Sequence, residues 1–145
     1  MIEKPILFSA PMVWALLDGS KTQTRRVVKR FEVRDGMPEP EWASLLRCCP
    51  YGQPDDRLIV DGSITLEIVS IRVERLQDIT EEDAIAEGVQ CASHIDYRSA
   101  TTEDGKELHS HAVDMFRELW ESINGKGSWG ENPCVWVIEF KRVAQ

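Results

Sequence analysis

No Cys-x-x-Cys pair occurs in this chain. Its four cysteines are Cys48, Cys49, Cys91 and Cys134, and the adjacent pair cannot close an ordinary disulfide with itself. Free thiols are therefore expected. Long hydrophobic runs are also missing. Nothing approaches the roughly 20 apolar residues that span a bilayer, and no signal-peptide stretch follows Met1-Ile2-Glu3-Lys4-Pro5. These absences lead us to expect a cytoplasmic protein without membrane attachment. Positive charge is in deficit too: 17 Lys and Arg against 25 Asp and Glu leave a net charge of −8. That balance argues against broad binding of duplex nucleic acid through phosphate neutralisation.

Two further motifs are incomplete. Asn124-Gly125-Lys126-Gly127-Ser128-Trp129-Gly130 lacks the order of a P-loop and follows a helical pattern, which excludes nucleoside triphosphate binding. Cys91-x-x-His94 and His109-x-His111 lie in or beside a polar stretch with spacings of low specificity. Exposed histidines are expected there, and no metal site.

What is present suits one domain over residues 1–145. The 42% hydrophobic and 29% charged content is ordinary for a globular chain able to bury its own core. Charge is unevenly spread. Between Asp18 and Asp35 stand six cations (Lys21, Arg25, Arg26, Lys29, Arg30, Arg34) against three acids. Such an island suits a small anionic or polar ligand, or a short single strand. On charge alone, a solvated strand edge is the simpler reading.

Hydrophobic periodicity gives the elements. Ile6-Leu7-Phe8 reads as a first strand. A helix follows from Ser9 or Ala10, with Pro11 in its first turn and Met12, Val13, Leu16 and Leu17 on a buried face. Gly19 ends it, and the chain then enters a strand running through Val28. Residues 29–53 read as a long loop in which Trp42, Leu45 and Leu46 form one helical turn. Arg57–Val60 is a strand, and Asp61-Gly62 a hairpin turn. From Ile64 to Leu76 apolar residues alternate, with a change of parity near Val69 that fits either a bulge or a strand passing between two buried surfaces. Thr80 caps a short helix that Gly88 stops. After a polar loop, Leu108, Ala112, Met115, Phe116, Leu119, Trp120 and Ile123 form one helical stripe. Cys134–Arg142 is apolar enough to be a central strand. This order indicates an α+β fold with a small, curved mixed β-sheet closed as a barrel and flanked by helices.

Chemistry concentrates in Gly19-Ser20-Lys21-Thr22-Gln23-Thr24-Arg25-Arg26, between two apolar segments. In a regular strand Lys21 and Thr24 would face opposite ways, so their convergence requires a turn or bulge between them. Glu87 is the other unusual residue, a carboxylate in the last turn of a helix, where the dipole disfavours it. Locally, a solvent-exposed acid explains it equally well.

Several stretches together resemble the ASCH family of the PUA-like superfamily. They are Gly19-x-Lys21-Thr22-x-Thr24-x-Arg26, Ile79-Thr80-Glu81-Glu82-Asp83-Ala84-x-x-Glu87-Gly88, Phe116-x-x-Leu119-Trp120 and Val135-Trp136-Val137-Ile138-Glu139-Phe140. The chain is similar to ASCH-like proteins of bacterial prophages and to small bacterial N4-acetylcytidine amidohydrolases. Many family members have Glu where Thr24 stands, whereas those amidohydrolases share the Thr. Prophage relatives carry a longer aromatic segment where this chain has the tight turn Asp61-Gly62-Ser63.

The resemblance implies a catalytic set of Lys21, Thr24 and Glu87, with Thr24 as nucleophile, Lys21 as its base and Glu87 assisting. Arg26, Phe8 and Trp14 are the expected substrate contacts, the aromatics stacking on a pyrimidine. The implied substrate is a modified pyrimidine nucleoside, and neither a metal nor an organic cofactor is required. Two alternatives belong to other classes: a PUA-like module that binds or cleaves single-stranded RNA, and a structural phage accessory protein.

Overall fold

The computed structural model describes residues 1–29, 45–89 and 111–143. Strands are β1 (Glu3–Ile6), β2 (Gln23–Val27), β3 (Arg57–Val60), β4 (Ile64–Arg75) and β5 (Cys134–Arg142). Helices are α1 (Ala10–Asp18), α2 (Glu81–Ala86) and α3 (His111–Asn124), with 3-10 turns at Leu76–Asp78 and Trp129–Glu131. The chain divides into two compact units. One comprises Met1–Phe8, Gln23–Leu76 and Pro133–Gln145; the other comprises Ser9–Thr22 and Gln77–Asn132.

The first unit is a five-stranded mixed sheet in the order β1-β3-β4-β5-β2. β1 runs parallel to β3, and the remaining pairs are antiparallel. The β3–β4 hairpin turns where expected. Asp61 and Gly62 both adopt positive φ, 51° and 73°, the left-handed conformation that such a turn requires. The parity change in β4 is a bulge: pairing with β5 shifts between Ile68 and Ser70. The odd residue, Val69, is exposed, and Ile71 then pairs with Ile138.

The register therefore gives the sheet two different faces. Leu58, Val60, Leu66, Ile68, Trp136, Ile138 and Phe140 share one face and are buried. The other carries Ser70, Arg72, Glu74, Gln23, Arg25 and Glu139. β5 lies between β4 and β2, and all of Cys134–Ile138 is buried, as the apolar run predicts.

The second unit is helical. α1 buries Met12, Ala15 and Leu16. α2 is capped by Thr80, whose side chain accepts the Asp83 N–H at 3.1 Å, satisfying one of the donors a helix start leaves open. α3 buries Ala112, Met115, Phe116 and Trp120. Phe116 stacks obliquely on Trp120 at 6.0 Å and edge-on against Trp129 at 6.2 Å, spacings typical of aromatic pairs.

Three sequence expectations shift. The first strand is Glu3–Ile6, with Ile6 buried, and Leu7 is 83% exposed; parallel pairing with β3, which periodicity cannot show, fixes its position. Leu17 and Ile123 are exposed, because Ala15 completes the buried stripe of α1 and the α3 stripe ends at Trp120. Cys48, Cys49 and Cys134 are thiols as expected. Trp42, Cys91, His94, Leu108, His109 and the side chain of His111 lie outside the described residues, as does most of the 29–53 loop.

Candidate active site

The helical unit holds Lys21 and Glu87. α1 terminates at Gly19 in the left-handed conformation (φ 86°), its N–H reaching the Leu16 carbonyl at 3.3 Å. Beyond it the backbone makes no regular strand. Lys21 N–H donates to the Ala15 carbonyl at 3.1 Å, and Thr22 N–H to the Ala86 carbonyl at 2.7 Å. β2 begins only at Gln23. The chain thus departs from a regular strand over Lys21–Thr22.

These bonds bring Lys21 to the end of α2. Its Nζ donates to the Glu87 carbonyl at 2.9 Å and to Glu87 Oε2 at 3.0 Å. The two side chains retain only 2% and 4% exposure. This supplies the reason for Glu87 that its local sequence lacks. A carboxylate at a helix C-terminus meets the negative end of the dipole, and the Lys21 ammonium offsets both charges. Gly88 permits the approach. A Cβ there would stand 2.8 Å from Ala15 Cβ and 3.0 Å from Lys21 Cβ, and its φ of 87° disfavours any other residue.

The sheet unit holds Thr24, Arg26 and Phe8. Alternation along β2 puts Thr24 and Arg26 on the apolar face, opposite Ile138 and Trp136. Thr24 is 1% exposed, and its Oγ1 accepts a hydrogen bond from Arg26 Nη1 at 3.2 Å. Arg26 also donates through Nη1 to the Arg25 carbonyl at 3.3 Å and through Nη2 to the Leu7 carbonyl at 2.8 Å. Its guanidinium lies over the Phe8 ring, 5.1 Å from the centroid. Tyr51 senses the same cation: burial raises its phenol pKa, and the Arg26 charge offsets part of that rise.

Arg25 points the other way. It bonds Gln23 Oε1 and pairs with Glu74 Oε1 at 2.6 Å. The chain of charges continues through Arg72, 3.6 Å from Glu74 and 2.9 Å from Glu139, and Ser70 donates to Glu139 at 2.9 Å. Arg25 is buried, so this part of the basic island is not a solvated edge. Period-two alternation already separates Arg25 from Thr24. Its partner Glu74 lies 49 residues away, and no local pattern reveals it.

The six residues singled out by sequence are thus distributed in three ways. Lys21 and Glu87 meet directly in one unit. Thr24, Arg26 and Phe8 form a contiguous group in the other. Trp14 is 67% exposed on α1. Tyr51 and Gly88 were not named as site residues; Gly88 was legible only as a helix stop.

Neither protein-family models nor curated proteins match this chain in sequence. Solved structures do match in fold. The hypothetical protein PH0355 is similar over 98% of this chain and 100% of its own, with a TM-score of 0.57 at 10% identity. An ASCH domain from Lactobacillus crispatus is similar over 97% of this chain and 79% of its own, with a TM-score of 0.53 at 13% identity. At such identities the likeness speaks for fold alone: a mixed α+β arrangement of five strands and helices, like that of an ASCH domain.

Proposed function

We propose that this chain is an amidohydrolase that cleaves the acyl amide of N4-acylated cytosine or cytidine, releasing the amine and a carboxylate. The observation that carries the reading is the buried Lys21–Glu87 pair, joined across 66 residues of sequence. A paired lysine and carboxylate withdrawn from water is a structural expense, and a proton-handling role accounts for it. Thr24 stands three residues from Lys21, with its hydroxyl buried and hydrogen-bonded to a cation.

In this reading Thr24 Oγ attacks the acyl carbon. Lys21 takes the hydroxyl proton as it passes one of its own to the Glu87 carboxylate, so a neutral lysine need never accumulate. The same pair then protonates the departing cytosine amine as the C–N bond breaks. Water hydrolyses the resulting threonine ester, giving the carboxylate and restoring the hydroxyl. Arg26, Phe8 and Trp14 are the residues proposed to meet the substrate. No metal or organic cofactor enters the scheme. Closure of the sheet as a PUA-like barrel and a cytoplasmic setting belong to the same reading. Among the described residues, no helix is long and apolar enough to cross a membrane.

The second reading, binding or cleavage of single-stranded RNA, draws on the basic island. Two of its six cations, Lys21 and Arg25, are buried in ion pairs, which withdraws them from phosphate and favours the amidohydrolase. Purified protein incubated with N4-acetylcytidine should produce cytidine, followed by its ultraviolet change, and Lys21→Ala and Thr24→Ala should abolish turnover. Full activity in either variant would remove the catalytic assignment. Salt-sensitive oligoribonucleotide binding without acyl hydrolysis would install the second reading.

A further inference from the structure

We infer that Arg26 is a catalytic residue acting on the Thr24 hydroxyl itself, and that Phe8 is a positioning residue that holds Arg26 to this task. The inference rests on the amidohydrolase reading but reassigns both residues from substrate contact to activation of the nucleophile.

Three observations within the sheet unit carry it. The first is the direct bond: Arg26 Nη1 donates to Thr24 Oγ1 at 3.2 Å. A donor aimed at an oxygen that is about to lose its proton favours the charged form. The second is fixation. Leu7 and Arg25 supply carbonyls at 2.8 and 3.3 Å, and the Phe8 ring lies beneath the guanidinium at 5.1 Å. A planar fork held on two protein oxygens and one aromatic face is already oriented when reaction begins, so little reorganisation is required. The third is the surroundings. Thr24 is 1% exposed, directly opposite Ile138, which is fully buried, and charge stabilisation is stronger where water is excluded. Thr24 is also β-branched, with few side-chain rotamers, so the bond from Arg26 fixes where its remaining lone pair points.

The proton balance is simple. Arg26 keeps all its protons. The Thr24 proton leaves for the Lys21–Glu87 pair, the Oγ–acyl bond forms, and the amide C–N bond breaks. Arg26 stabilises the charge on Oγ that builds as the proton leaves, before the Oγ–acyl bond consumes it, and again when the ester C–O bond breaks and Oγ departs.

The test compares wild type, Arg26→Lys and Phe8→Leu, with Thr24→Ala as control. Two readouts are used: hydrolysis of N4-acetylcytidine, and acetylation of Thr24 by p-nitrophenyl acetate, located by peptide mass mapping. Arg26→Lys should lower kcat by ~10²–10³-fold. KM should stay within about threefold, as expected when only transition-state interactions are lost. The rise of kcat with pH should also move to higher pH. Phe8→Leu should lower kcat by about tenfold, the scale of one shielded cation–π contact, and keeps the question answerable if Arg26→Lys fails to fold.

A raised KM with unchanged kcat in Arg26→Lys or Phe8→Leu would overturn the inference and leave the amidohydrolase standing. If wild type does not turn over N4-acetylcytidine yet Thr24 is acetylated in an Arg26-dependent way, the substrate reading falls and the inference holds. If wild type neither turns over nor takes the label, both fall.

Discussion

At the residue scale, the most demanding arrangement is the pair of Lys21 and Glu87. Both side chains are withdrawn from water, and each justifies the other's burial. Removing one partner strands a charge in the interior, at a cost of about 3–5 kcal/mol. Lys21→Met should therefore lower the melting temperature sharply. Lys21→Met combined with Glu87→Leu should recover most of the loss, because an apolar pair of similar volume carries no desolvation penalty. Hydrolysis of N4-acetylcytidine should remain absent in both. Melting curves plus a turnover assay decide the matter, and recovered activity in the double variant would defeat the catalytic assignment. Gly88 offers a complementary probe. Gly88→Ala places a methyl group 2.8 Å from Ala15 Cβ at a positive φ, and a loss of about 1–3 kcal/mol is expected. Adding Ala15→Gly should return part of it. No rescue would mean that the backbone conformation alone matters.

Residue types were more legible than their partners. Lys21, Thr24 and Glu87 stood out through resemblance to a family motif, whereas local reasoning left Glu87 evenly balanced between a surface acid and a residue with a specific role. The Arg25–Glu74 pair stayed hidden because it depends on how β2 and β4 register against β5, a relation distributed over distant segments.

At the scale of elements, local signals served well where local physics decides. Thr80 caps α2, Asp61-Gly62 turns the hairpin, and Cys134–Arg142 forms a central strand. They failed for β1. Pairing with β3 and a tether to Asp56 locate that strand, and neither acts over neighbouring residues. Asp56 Oδ1 accepts the Ile2 N–H at 2.9 Å and Oδ2 the Gln53 N–H at 2.8 Å, and these bonds lower its carboxyl pKa from the ordinary 3.8. A depressed folded-state pKa contributes stability above 3.8 that is lost as pH falls through the folded value. Asp56→Asn should therefore melt below wild type at neutral pH, and the gap should narrow in increasingly acid buffer. A gap independent of pH would show that the carboxylate's charge is immaterial.

At the scale of the whole molecule, the sheet unit is assembled from three separated stretches of chain, and the helical unit from two. That interleaving explains why the α+β class was readable while the topology was not. Alternation reports which face a residue takes, but the order β1-β3-β4-β5-β2 is a property of the assembled sheet. The polar face follows from the same register. Glu139, Arg72, Glu74 and Arg25 make a continuous run of opposite charges across three strands, each close enough to its neighbour to limit repulsion.

Val69 gives β4 one residue more than its pairing needs. The strand therefore contains slack, and it is local. A chain lacking Val69 would leave Ile68, Ser70, Ile71 and Arg72 on the faces they now occupy, so the shortened protein should keep its circular dichroism spectrum and cooperative melting. Removing Arg72 would invert everything that follows, turning Val73 outward and Glu74 into the apolar layer, and should abolish the folded signal. Length variation within this strand would then be confined to its bulge, where loss of a residue relaxes a kink and leaves inside and outside unchanged.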